Sequence, residues 1–313
     1  MLVLAALAVA QERRTTTYTY DLHGRPSASA QAAESVSAAG KSRVETMRTI
    51  NGRNAPAESV EERVISEGPE GRIVERIVRP YDADGRPGPP EKTRIEERKN
   101  ADGSATVETT LHRGDLNGGF RLWERSTTET RKSGGVENSE TVVQRPGLNA
   151  SLEISEKQVS TRREDPNSAD GNLAIYRRGA DGRFYEAVRE ISQRRQQNGQ
   201  TTETTTSYNA TNTGKLEFAG QTVSTTVKNP DGSETSAIDV YGVAIPGRPV
   251  DSYSPGPKLR EQQLIERRKT SSDSTVETFS IRRPSLTDPA QLGAYQRISE
   301  KVCTGACGPA PKK

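Results

Sequence analysis

Apolar and polar residues alternate along short runs that are rich in threonine, valine, glutamate and arginine. The run "SATVETTL" places Ala105, Val107, Thr109 and Leu111 on one side of an extended chain. A period of two with many β-branched residues predicts β-strands. Threonine dilutes even the more apolar side, so many strands are predicted to be polar on both faces.

Glycine-containing turn signals such as "DADG", "NADG" and "NPDG" separate these runs. They recur at intervals of roughly 15–18 residues, the length of one or two strands plus a turn. Asp-Gly and Asn-Gly supply the positive φ angles of tight hairpins. The pattern therefore predicts a long succession of antiparallel hairpins.

The sequence also shows a second repeat, with a period longer than the spacing of the turns. Gly118 and Phe120 have counterparts 64 residues later at Gly182 and Phe184. Repeats of this period indicate stacked supersecondary units. We expect a mainly β protein, an elongated antiparallel meander or repeat array of about four units of 64–66 residues. The predicted repeat region covers residues 52–285, with units at 52–117, 118–181, 182–246 and 247–285.

The flanks of the repeat region differ from it. Residues 11–51 are predicted to be an N-terminal strand followed by an Ala/Ser-rich linker. Residues 286–302 carry a capping aspartate, Asp288, and apolar residues at helical spacing, which predict a short C-terminal helix. Residues 303–313 are predicted to be a tail.

Composition limits the core that such strands can build. Hydrophobic residues make up 30% of the 313-residue chain, aromatic residues 4%, and the mean hydropathy is −0.83. Lys and Arg number 45 against 42 Asp and Glu, interleaved along the strands, for a net charge of +3. Interleaved charges suit cross-strand pairs on solvated faces and argue against a nucleic-acid partner.

The first ten residues, "MLVLAALAVA", resemble the end of a secretory signal peptide. A buried first strand is the alternative. The segment is shorter than the roughly 20 residues of a spanning helix, and no later stretch qualifies. We therefore expect a secreted, extracellular or cell-surface location and no stable membrane span.

Few residues of the sequence are candidates for catalysis, metal binding or covalent modification. Cys303 and Cys307 could close a disulfide or remain free thiols, and they are too few for a metal site. Asn149 and Asn209 fit the N-glycosylation pattern, which an exported bacterial chain would leave unmodified. No catalytic motif is present in the sequence, so we expect a non-enzyme without cofactor or metal.

The stretch "YDADGRP" contains Asp82 and Asp84 in a D-x-D spacing. A calcium loop would continue with further oxygen ligands, whereas Arg86 and Pro87 follow here, which favours a turn. "YTYDLHGRP", from Tyr18 to Pro26, and "YDADGRP", from Tyr81 to Pro87, resemble the YD repeat of RHS-type proteins. This resemblance implies extracellular β-hairpins stacked into spiral sheets.

The functional hypothesis from these observations is structural. A strand-rich, exported chain with little core could add strands edge to edge, as a homo-oligomeric subunit of a cell-surface or extracellular fibre or matrix. The alternative is a surface adhesin or carbohydrate-binding module, with Trp123 and Phe120 stacking on glycans. A four-bladed propeller is a third architecture, disfavoured by the low apolar content.

Overall fold

The structure, a computed structural model, describes residues 11–37, 41–50, 52–115, 118–243, 256–271, 273–285, 291–305 and 307. Within these ranges the regular elements are 18 β-strands and no helix. Their bounds are β1 Gln11–Tyr20, β2 Pro26–Val36, β3 Lys41–Ile50, β4 Arg53–Gly68, β5 Gly71–Pro80, β6 Glu91–Lys99, β7 Ala105–Gly114, β8 Phe120–Ser133, β9 Val136–Pro146, β10 Leu152–Asp165, β11 Ser168–Arg178, β12 Phe184–Gln197, β13 Gln200–Ala210, β14 Leu216–Lys228, β15 Glu234–Gly242, β16 Lys258–Ser271, β17 Ser274–Arg282 and β18 Gln296–Gly305.

The strands form one closed antiparallel barrel. Each strand pairs with its neighbours in sequence, and β1 pairs with both β2 and β18. At this seam Thr16 lies opposite Val302 on one side and Gln31 on the other. Closure gives the backbone groups of the first and last strands partners on both sides, so the described sheet has no free edge.

The predicted β class is confirmed, but the open repeat array and the C-terminal helix are wrong. Residues 296–302 of the expected helical segment, together with 303–305 of the expected tail, form β18, which pairs with β17 and β1. The reason lies in the tertiary structure, because the barrel closes only when a last strand pairs with both β17 and β1. The hydrogen bonds of this strand outweigh the helix preference of the segment, which Gly293 already lowers. Residues 286–290 lie outside the described ranges.

The 64-residue offset corresponds to four strands of the barrel. It carries the first residue of β8, Phe120, onto that of β12, Phe184, and the first residue of β10, Leu152, onto that of β14, Leu216. Each such unit therefore contributes two hairpins to the ring.

Several of the hairpins share a five-residue turn. In the turn after β1, the N–H of Asp21 donates to the carbonyl of Arg25 and the N–H of Gly24 donates to that of Asp21. Asp82, Gly85 and Arg86 repeat both bonds. The N–H groups of Arg25 and His23 also donate to the Asp21 carboxylate and hold its pKa below the usual range.

The fourth position of this turn has positive φ, which favours glycine. Gly214 holds it at +80° with open space where a Cβ would lie, whereas Ala150 holds it at +59°. We expect Gly214→Ala to lower, and Ala150→Gly to raise, the free energy of unfolding by about 1 kcal/mol each. Urea unfolding of both variants measures the difference, and equal midpoints would contradict it.

Candidate functional site: two faces and two rims of the barrel

The strand registers assign each strand residue to one of two faces. On β3, Arg43, Glu45 and Met47 are exposed, whereas the alternating residues Val44 and Thr46 are half-buried. The same alternation of exposure holds along β2 and β12. Side chains on the concave side of a barrel converge and cover one another, so the more exposed set defines the outer face and the other set the inner face.

Both faces carry charge. On the outer face Arg125 of β8 pairs with Glu108 of β7 at 2.8 Å. On the inner face Arg145 of β9 pairs with Glu124 of β8 at 2.8 Å. Most charged side chains of the wall have a cross-strand or same-strand partner of this kind. A polar inner face suits a water-filled interior, and the outer charges are largely compensated.

The most enclosed charge of the wall is Glu75 on the outer face of β5. Its side chain is 8% exposed and lies 2.7 Å from the guanidinium of Arg63 and 2.6 Å from the Nζ of Lys92. Arg63 comes from β4 and Lys92 from β6, so one carboxylate joins three adjacent strands. A cavity of about 170 Å³ lies beside this cluster, next to Ile77.

The two ends of the barrel differ. We term the end with Gln11 and Gly305 the terminal rim, and the end with the turns at 21–25, 81–90 and 115–119 the loop rim. At the terminal rim a cavity of about 460 Å³ is lined by Lys132, Glu137, Arg162 and Glu164. Lys132 and Glu137 pair at 2.7 Å, so this cavity presents compensated charge.

Aromatic residues collect at the loop rim. Every described aromatic residue lies within three residues of a strand end at this rim. These residues are Tyr18, Tyr20, Tyr81, Phe120, Trp123, Tyr176, Phe184, Tyr185, Tyr208, Phe218, Tyr241, Phe279 and Tyr295. Tyr253 lies outside the described ranges. In the sequence these aromatic residues adjoin only alternate turns. The pattern can be recognised only after each turn has been assigned to one end of the barrel.

The structure places the predicted site residues apart. Cys303 and Cys307 form a disulfide beside the seam, at the end of β18. Phe120 is on the outer face and Trp123 on the inner face, where the guanidinium of Arg113 lies 3.9 Å from the ring centre. Asn149 is an exposed turn residue and Asn209 an exposed strand residue, and their glycosylation stays a prediction.

Other chemistry is sparse. The carboxylate of Asp82 accepts the N–H groups of Asp84 and Arg86 at 2.9 and 2.8 Å, as expected for a turn. The described residues contain no group of three or more His, Cys, Asp or Glu placed to hold a metal ion. They also contain no helix with the length and apolar character needed to cross a bilayer.

The fold is thus that of a closed, wide β-barrel, and its likeness to known structures lies in that class. It resembles two crystal structures from Pseudomonas aeruginosa, of OccK3 (OpdO) and of OpdO. Each has a TM-score of 0.52 and covers 95% of this chain and 95% of its own, at 7% and 8% identity. No family model matches the chain, and no curated protein matches it.

These findings overturn the expected function. The likeness is to the closed barrels of OccK3 (OpdO) and OpdO, so the fibre subunit and the adhesin are both wrong. Self-association by strand addition needs a free edge, and the β1–β18 pairing occupies it.

The expectation of no stable membrane span is also wrong, because it considered helices alone. A closed barrel is the second backbone arrangement that a bilayer tolerates. The kinship to YD/RHS repeats stays a prediction.

Proposed function

We propose that the protein is a channel, a barrel whose wall encloses a passage for small hydrophilic solutes at an outer membrane. The observation that carries this proposal is the closed ring of 18 strands. Rings of 16–18 strands are wide enough for an aqueous channel. An outer membrane lies at the cell surface, so the proposed location keeps the expected cell-surface site and replaces the expected secretion.

The inner face supports the passage of polar solutes. Small side chains such as Ala28, Ala30 and Ala32 on β2 lie on this face, as do charges such as Arg145 on β9 and Glu124 on β8. Charges of both signs are present and paired, so we expect weak discrimination between small cations and anions. Transport of this kind needs no catalytic group, and the protein is proposed to act as a non-enzyme.

The outer face supports the proposal through its pairing. An isolated charge on a lipid-facing strand costs about 2–4 kcal/mol for Arg or Lys at the midplane. The outer charges described above have counter-charges within hydrogen-bond distance, as between Arg125 and Glu108 at 2.8 Å. Paired ions lose less on leaving water than isolated ions, because each neutralises the field of the other.

Planar-bilayer recording tests the channel directly. Purified, refolded protein is expected to give stepwise ionic currents with near-equal permeability to K⁺ and Cl⁻. The Thr16→Pro variant, which breaks the ring at the seam, is expected to give none, and the turn variant Leu22→Pro is the matched control. Folded wild-type protein that leaves the bilayer silent would overturn the proposal.

A further inference from the structure

We infer that the disulfide between Cys303 and Cys307 is a redox-sensitive clip on the seam of the barrel, and that its formation holds the β1–β18 pairing closed at the terminal rim. The inference concerns how the closed ring is maintained. It goes beyond the proposed function and does not depend on conduction.

The disulfide lies where the first and last strands meet. Cys303 of β18 lies opposite Thr15 of β1 on one side and opposite Thr275 of β17 on the other. Following the registers from Val44, this position is on the inner face. The two half-cystines are buried, at 4% and 5% exposure. The bond is therefore enclosed at the strand pair that joins the two ends of the chain.

The short loop that the bond closes touches both neighbours of β18. Gly305 has a φ of +92°, and a Cβ there would lie 2.5 Å from the carbonyl oxygen of Glu12 on β1. The Sγ of Cys307 lies 3.4 Å from the carbonyl oxygen of Asp273, in the turn that precedes β17. One covalent loop therefore packs against β1 and against the start of β17.

Covalent closure of the loop favours the closed seam. Without the bond, the segment loses backbone freedom each time it settles against β1 and the turn before β17. The bond removes much of that freedom in advance, whether the seam is open or closed. For a loop of about five residues, the loss of chain entropy shifts the equilibrium toward the closed seam by a factor of at least about ten.

The clip responds to the redox state of its surroundings. It forms when the two thiols give up two electrons and two protons to an external disulfide, which becomes a pair of thiols. An external dithiol reverses this exchange. The cytosol keeps cysteines reduced, whereas compartments outside it permit disulfides. A chain bound for an outer membrane would therefore acquire the clip after it leaves the cytosol.

Hydrogen exchange tests the clip in the full chain. Wild-type protein is refolded with oxidised glutathione or with dithiothreitol, and the exchange of peptides from β1 and β9 is followed by mass spectrometry. We expect reduction to raise the exchange rate in β1 at least about tenfold. The rate in β9, which is distant from the seam in the strand order, should stay unchanged.

The double variant Cys303→Ser, Cys307→Ser is the control for the reductant. It should exchange like reduced wild type under both conditions, because it has no bond to reduce. Equal exchange of β1 in oxidised and reduced wild type would overturn the clip. An equal rise in β1 and β9 would also overturn it, because the bond would then stabilise the whole chain and not the seam.

Gly305 gives a second measurement. Gly305→Ala places a methyl group against the carbonyl of Glu12, and we expect dithiothreitol to reduce the disulfide of this variant at least about tenfold faster than that of wild type. Gly214→Ala is the matched control, because Gly214 also has positive φ, at +80°, but open space where a Cβ would lie. Equal reduction rates in the two variants would show that the clip is not held against β1.

Discussion

Thr16→Pro is expected to open the barrel between its first and last strands. Thr16 lies in the middle of β1, opposite Val302 of β18 and Gln31 of β2. Proline has no N–H and a fixed φ, so in the middle of a sheet it removes a ladder hydrogen bond and distorts the strand. In an edge strand with its N–H toward solvent, proline is tolerated. The stability of the Thr16→Pro variant therefore distinguishes a closed ring, in which β1 has two neighbours, from an open sheet, in which β1 is an edge strand.

Urea unfolding and native gel mobility measure this effect. Leu22→Pro is the matched control, because Leu22 is 84% exposed and occupies the second position of a turn that suits proline. We expect the control to match wild type and Thr16→Pro to lose most of its stability and to aggregate through freed edges. Wild-type stability in Thr16→Pro would show that β1 is an edge strand.

Glu75→Ala is expected to be the most destabilising of the single charge deletions. It leaves the guanidinium of Arg63 and the ammonium of Lys92 side by side without the buried carboxylate that joins them. Removing one partner of a buried ion cluster costs about 3–5 kcal/mol, and partial exposure of both cations reduces this to about 2–3 kcal/mol.

Glu45→Ala is the control for Glu75→Ala. Glu45 pairs with Arg43 on the same outer face, and the two side chains are 55% and 52% exposed. Exposed pairs contribute about 0–1 kcal/mol, so its urea midpoint should stay close to wild type. Equal shifts in the two variants would show that Glu75 acts as an ordinary surface charge.

Local features of the barrel could be predicted from sequence. The alternation in "SATVETTL" indicated a strand, and residues 105–114 form β7. The Asp-Gly signal at Gly85 indicated a turn, and Asp82 and Gly85 form it by hydrogen bonds. Both predictions depend on neighbours along the chain, where residue preference and backbone geometry act directly.

Closure could not be predicted in the same way. A spanning barrel normally shows an apolar band on its outward face, and here Glu108 and Arg125 occupy outward positions. Because both faces of the sheet carry charged residues, the alternation of apolar and polar residues predicted strands but did not indicate what either face contacts. The pairing of Thr15 with Cys303 joins residues from the two ends of the chain, and no local pattern encodes it.

The aromatic ring was missed for a related reason. Phe120 and Trp123 were considered as a local pair for glycan stacking, but they lie on opposite faces of β8. Tyr18, Tyr208 and Tyr241 are far apart in sequence and share only their nearness to one rim. Each turn can be assigned to the loop rim or the terminal rim only once all strands are known to follow one another in a single barrel.

The seam also sets an order of events during folding. Apart from the β1–β18 pairing, each strand contact joins sequence neighbours, so hairpins can form as soon as their two strands exist. The β1–β18 contact joins Arg13 to Gly305 and must bring together nearly the whole chain. We expect fast hairpin formation followed by a slow closing step, during which β1 and β18 stand open to unwanted pairing. A chain still emerging from the ribosome cannot complete this fold, because its last strand is the one that closes it.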